Sequence, residues 1–125
     1  MRLLLDTSAL IWWFDDDRSL GPKARAAIAD PHNEVFVSSL TFAEIAIKQG
    51  VGKLAGPFIS DELLAEQGMS VLPLTARHGR KVIELPLHHR DPFDRLLIAQ
   101  ALEEGLTIVT SDASFRPYGV SLLAA

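Results

Sequence analysis

The sequence predicts an α/β domain built on a mainly parallel sheet with helices on both faces. Three observations carry that prediction. The strand-like runs at 3–5, 35–37 and 107–110 are apolar rather than alternating, as expected of strands buried on both sides. Segments with helix start and stop signals separate them, which is the βαβ pattern. The chain has 125 residues, and domains usually run to about 100–200 residues, so residues 1–125 read as a single domain.

Each element has its own signal. Leu3, Leu4 and Leu5 form the first strand, and Thr7 and Ser8 are candidate N-caps for a helix over 9–14. Gly21-Pro22 restarts the chain, with Pro22 suited to a first helical position and a helix over 23–29 that Asp30-Pro31 stops. Val35, Phe36 and Val37 form the second strand. Ser38, Ser39 and Thr41 lead into a helix that runs to about Gln49 and closes at Gly50. Residues 52–57 read as a loop. Ser60 caps a helix over 61–67, with two acids in its first turn and Gly68 past its end. The third strand is expected over 70–74. Thr75 begins a helix to about Glu84, weakened by Gly79, and 86–90 is a connector. Asp91-Pro92 opens the clearest helix, which ends near Glu104 with Gly105 as its C-cap. The fourth strand is 107–110, a turn follows at Ser111-Asp112, and 120–122 reads as a short last strand.

Composition narrows the function. Hydrophobic residues make up 48% and charged residues 22%, which excludes a wholly disordered chain. The absence of cysteine excludes disulfide frameworks, cysteine zinc sites and thiol catalysis. Asp6 breaks the first apolar run after three leucines, so that run is neither a signal segment nor a membrane span, and a cytoplasmic protein is expected. The net charge of −4, from 12 basic against 16 acidic side chains, argues against a general DNA coat. It is compatible with a nucleic-acid enzyme whose acidic pocket holds divalent metal.

In an open parallel sheet, ligands bind outside the carboxyl ends of the strands. Asp6 ends the first strand, Glu44 lies in the helix after the second, and Asp112 follows the fourth. Asp94 is in the first turn of the helix leading into the fourth strand, which also places it at the carboxyl edge. Four acids therefore converge on one rim. Converging carboxylates repel one another. Hard cations such as Mg²⁺ or Mn²⁺ relieve that cost, activate water and stabilise charge on a phosphate. Each acid also has a structural reading: Asp6 as a helix cap, Glu44 as an i,i+4 partner of Lys48, Asp112 as a turn residue. Asp91 reads as the cap of its helix, with Asp94 as the acidic third residue.

His88 and His89 have no histidine at metal spacing and read as a solvated loop. Lys48, Lys53, Arg77, Arg80, Lys81, Arg90 and Arg95 are scattered bases, either a phosphate-binding margin or solvated surface. Trp12, Trp13 and Phe14 are successive on a helix and point about 100° apart, so one or more is expected to be covered by a partner or second subunit.

The segments LLLDTSALIWWF, SSLTFAEIAIKQGVGKL and DPFDRLLIAQALEEGLTIVTSD together resemble a PIN domain of the VapC-type toxins of bacterial toxin–antitoxin pairs. The resemblance runs in order from Leu3 to Asp112. It implies a three-layer α/β/α sandwich and a Mg²⁺- or Mn²⁺-dependent endoribonuclease that arrests translation by cutting a structured RNA such as tRNA. It also implies a cognate antitoxin and a homodimer. Asp6, Glu44, Asp94 and Asp112 match the family's acids. Asp91 is an extra acid that either binds metal through water or only caps the helix. Thr7 and Thr110 match hydroxyl positions that support the acids, and Lys48 and Arg95 are candidates to steady the phosphate.

Other classes fit less well. A phospho-accepting receiver needs paired acids after its first strand and a late lysine, yet no lysine follows Lys81. A DxD phosphohydrolase needs a second acid where Ser8 stands. A catalytically silent module that binds its antitoxin or RNA without cleavage remains the alternative.

Overall fold

The computed structural model describes residues 1–55 and 59–125. Part of the loop expected over 52–57, at 56 and 57, lies outside the described residues. The elements run β1 (Arg2–Leu5), α1 (Thr7–Asp15), α2 (Pro22–Ala29), β2 (Glu34–Ser38), α3 (Ser39–Gly50), α4 (Asp61–Glu66), β3 (Met69–Leu72), α5 (Ala76–Glu84), α6 (Pro92–Glu104), β4 (Thr107–Thr110), a 3₁₀ turn (Ala113–Tyr118) and β5 (Leu122–Ala124). The five strands form one sheet in the order β3-β2-β1-β4-β5. Every pairing is parallel. The sheet is thus wholly parallel, beyond the expected mainly parallel arrangement.

Period-2 geometry explains why β1 is apolar throughout. Leu3 and Leu5 point into one core with Ala9, Leu10, Ala24, Ile28, Ile45 and Leu64. Leu4 points into the other, with Leu97, Ile98, Ala101, Ile108 and Phe115. Both faces are covered, and the result is a three-layer α/β/α sandwich. Leu4 is fully buried at the middle of the central strand. Leu4→Ala is expected to cost about 2–5 kcal/mol, the usual range for a large-to-small core change. Urea unfolding checks this; a loss below about 1 kcal/mol would contradict the packing described.

Helix ends follow local chemistry. Ser38 caps α3 and Ser60 caps α4, each hydroxyl accepting from a first-turn N–H. Thr75 and His78 form a capping box that offsets the cost of Gly79 in α5. Pro92 opens α6, and Gly105 ends it with φ 66°, a left-handed conformation glycine adopts without strain.

Four boundaries differ from expectation. α1 begins at Thr7 rather than at 9, because Asp6, as its structural reading allowed, is the cap: its carboxylate accepts from the Ala9 N–H at 2.8 Å. β3 ends at Leu72, before the expected Leu74, since Pro73 has no N–H to donate to a ladder. β5 lies at 122–124 rather than 120–122: Val120 is buried in the second core, but pairing begins at Leu122. The chain after Asp112 is a full 3₁₀ segment rather than a simple turn.

Trp12, Trp13 and Phe14 are half-buried against the first core, and the Trp13 indole N–H donates to Gln67 at 3.1 Å. The chain itself covers part of that aromatic surface. Among the described residues, no helix is long and apolar enough to cross a membrane.

Candidate active site

The strand order fixes where a ligand sits. From β1 the chain steps outward to β2 and β3, then crosses to β4 and β5 on the other side. The crevice beyond the carboxyl ends of β1 and β4 is therefore the topological switch point. Asp6 stands there, its backbone N–H donating to Val109 O at 3.1 Å and so extending the β1/β4 ladder.

All four predicted acids line one cavity of about 180 Å³, together with Asp91, Thr7 and Lys48. Asp6 is 8% exposed. Burial pushes its carboxyl up to about 6 from the ordinary 3.8, and Asp94 and Asp112 add to the rise. Hydrogen bonds from Thr110 and the Ala9 N–H pull in the opposite direction. Burial wins because each of those bonds offsets only part of the cost of drying a carboxylate.

Glu44 is equally buried at 8% exposure. Thr7 Oγ1 donates to its Oε1, and Lys48 Nζ lies 2.9 Å from its Oε2. The i,i+4 pairing with Lys48 and the place in the pocket are therefore both real. Asp94 is raised chiefly by burial, with Asp91 and Glu44 adding to the rise and a hydrogen bond from His89 opposing it. Asp112 is more exposed and lowered, because the Ser114 N–H donates to it at 2.9 Å. Thr110 Oγ1 also accepts from the Asp112 N–H at 3.0 Å, so one hydroxyl braces two acids. Asp91 Oδ1 accepts from the N–H groups of Phe93 (2.8 Å) and Asp94 (3.3 Å), the capping geometry.

Two sequence-based assignments change. Arg95 is turned away from the acids. Its guanidinium donates to the carbonyls of Val82, Leu85, Pro86 and His89 and to Tyr118 Oη. Its donors are taken up by these carbonyls and the Tyr118 hydroxyl, which favours a clamp on the 82–89 segment over a phosphate contact. His89 is not a solvated loop residue: its Nε2 lies 2.7 Å from Asp94 Oδ2. His88 does stay exposed, its ring edge against Tyr118 at 5.3 Å. The His89 contact had no sequence signal, because a loop histidine five positions before an acid has no periodicity; the extended stretch before the Asp91 cap brings it beside the first turn of α6. A larger hollow of about 380 Å³, lined by Val82, Leu87, Arg90 and Leu96 among others, holds no carboxylate.

Among the described lining residues, Lys48 is the one cation facing five carboxylates. Such a set of hard oxygen donors, two of which (Asp6 and Asp94) have their proton affinity raised by burial, fits a divalent cation. Fold and site thus define a doubly wound α/β domain with an acidic crevice at its switch point. The chain belongs to the PIN domain family, whose profile matches residues 3–120. It is 29% identical over 119 residues to Ribonuclease VapC22 of Mycobacterium tuberculosis, covering 93% of this chain and 91% of that protein. Among solved structures, VapBC2 from Rickettsia felis bound to a DNA fragment from its promoter superposes with a TM-score of 0.69 at 18% identity, over 98% of both chains. DNA-bound VapBC from Salmonella typhimurium gives 0.66 at 17% identity, over 98% of this chain and 97% of that one. At those identities the structures speak for the fold.

Proposed function

We propose that this chain is the ribonuclease toxin of a VapBC-type toxin–antitoxin pair. Its substrate is a structured cellular RNA such as tRNA, and its cleavage arrests translation in the cytoplasm. The observation that carries the reading is the convergence of Asp6, Glu44, Asp94 and Asp112 on one crevice with one lysine among them. The family membership and the likeness to Ribonuclease VapC22 support it. The likeness to VapBC complexes supports a cognate antitoxin as partner, and the half-buried aromatics of α1 suit a homodimer.

The four acids hold one or two ions of Mg²⁺ or Mn²⁺, and Asp91 acts as the cap of α6. When bound, such an ion activates water and offsets the charge that builds on a phosphate during in-line displacement. The chain's own groups prepare the site. Thr7 aims Glu44 inward, Thr110 holds Asp6, and the Ser114 N–H holds Asp112. Lys48, at the pocket wall and 2.9 Å from Glu44 Oε2, is the cation that would meet a phosphate oxygen, while Glu44 would be among the residues that hold an ion.

The test is to incubate the antitoxin-free protein with total cellular RNA and Mg²⁺ or Mn²⁺. Discrete fragments that vanish with EDTA are expected. A folded protein that binds the ion yet leaves all RNA intact would favour a silent module that acts by binding alone.

A further inference from the structure

The acidic pocket has a nitrogen donor at its edge. His89 Nε2 lies 2.7 Å from Asp94 Oδ2. One ligand atom each from His89, Asp94 and Asp112 lie within 4.8 Å of one another. Donors about 2.1 Å from an octahedral ion stand about 3.0 Å apart when adjacent and about 4.2 Å when opposite. The His89–Asp94 pair is within about 0.3 Å of the adjacent spacing, and the widest separation allowed among the three exceeds the opposite spacing by about 0.6 Å, which a side-chain adjustment closes.

The backbone of His89 is fixed on both sides. Its N–H donates to Tyr118 Oη at 2.7 Å, and its carbonyl accepts from Arg95 Nη1 at 3.4 Å. Arg95 Nη1 also donates to Tyr118 Oη at 3.3 Å and to Pro86 O at 3.0 Å. A histidine left to solvent needs no such clamp. Arg95 and Tyr118 are positioning residues that present the imidazole to the acids.

We propose that His89 is a fifth protein donor to a divalent cation in this pocket, and that its nitrogen tilts the site toward Mn²⁺ over Mg²⁺. The inference rests on the metal-dependent reading above. Mg²⁺ is hard, holds its waters and takes oxygen donors, whereas imidazole nitrogen suits first-row transition ions. A His89 that only hydrogen-bonded to Asp94 from outside would raise affinity for both ions alike.

Pulsed electron paramagnetic resonance on the Mn²⁺-loaded wild-type protein reads the bond without any substitution. The expected result is the coupling of a directly coordinated ¹⁴N, absent in His89→Gln. Calorimetry should show Mn²⁺ binding weakened about tenfold in His89→Gln, at the low end of what ligand-shell changes cost, and Mg²⁺ binding changed less than about threefold. Bound Mn²⁺ without ¹⁴N coupling, or equal losses for both ions, would overturn the proposal and leave the metal-dependent reading standing. A folded wild-type protein that binds neither ion would overturn both.

Discussion

Asp6→Asn is expected to abolish RNA cleavage and, in the absence of ions, to make the protein more stable at pH 7.5. The first effect follows from the central place of Asp6, between β1 and β4 and against Asp94 and Asp112. Metal assistance supplies several kcal/mol to the transition state, and each ~1.4 kcal/mol is tenfold in rate, so a loss of about a thousandfold or more is expected. The second effect follows from the sign of the pKa shift. The folded protein holds the Asp6 proton up to about pH 6, whereas the ordinary value is 3.8. Between those values the folded state binds more protons than the unfolded one, so stability falls as pH rises through that window. Above it the full penalty stands, about 2–3 kcal/mol for a shift of this size. Asn removes the charge and still caps α1, because its side-chain oxygen accepts from the Ala9 N–H as Asp does. It gives up about 0.3–1 kcal/mol of attraction to the helix dipole. The net gain is about 1–2 kcal/mol, or on the order of 5 °C in Tm for a domain of this size. Melting in EDTA at pH 7.5 and pH 4 checks it: the gain should be present at the first and absent at the second. A variant less stable than wild type at pH 7.5 would show that Asp6 is a structural cap and not a strained ligand. Adding Mn²⁺ should raise the wild-type Tm and leave Asp6→Asn nearly unmoved.

The same residues show what a sequence does and does not reveal. Leu3, Leu4 and Leu5 announce a doubly covered strand because no half-exposed strand tolerates three leucines in a row. Asp6, Glu44, Asp94 and Asp112 are assignable to one rim because parallel βαβ units put every strand's carboxyl end on the same edge. That argument needs only chain order. Arg95 needs more. In sequence it is a base beside an acid, as a phosphate contact would be, and only the path of 82–89 shows that carbonyls consume its donors. His89 is hidden for the same reason, since its partner is chosen by how a loop closes and not by a repeat. The misplaced ends of β3 and β5 follow a third rule: Leu74 and Val120 are both apolar, yet Leu74 is exposed and Val120 buried, and neither joins a ladder, which a strand also needs.

Arg95→Met is expected to destabilise the protein by about 2–4 kcal/mol and to impair cleavage at temperatures where the variant is still folded. Hydrogen bonds to charged groups contribute about 1.5–3 kcal/mol each when buried and less when water can replace them. Arg95 is half-buried, so the carbonyls of Val82, Leu85, Pro86 and His89 are partly rescued by solvent, and the sum stays well below five full bonds. Met keeps the apolar stem and removes only the fork, which separates lost hydrogen bonds from lost packing. Arg95→Lys decides between the two roles open to this residue. A phosphate contact needs a positive charge, and lysine would retain most of it. A clamp needs a planar group that reaches several carbonyls and the Tyr118 hydroxyl at once, and an ammonium cannot span them. Lysine should therefore lose nearly as much stability as methionine and fail to restore cleavage. Urea unfolding and RNA cleavage on both variants measure this directly; a lysine variant with wild-type stability and activity would return Arg95 to the surface and leave the 86–90 segment without its anchor.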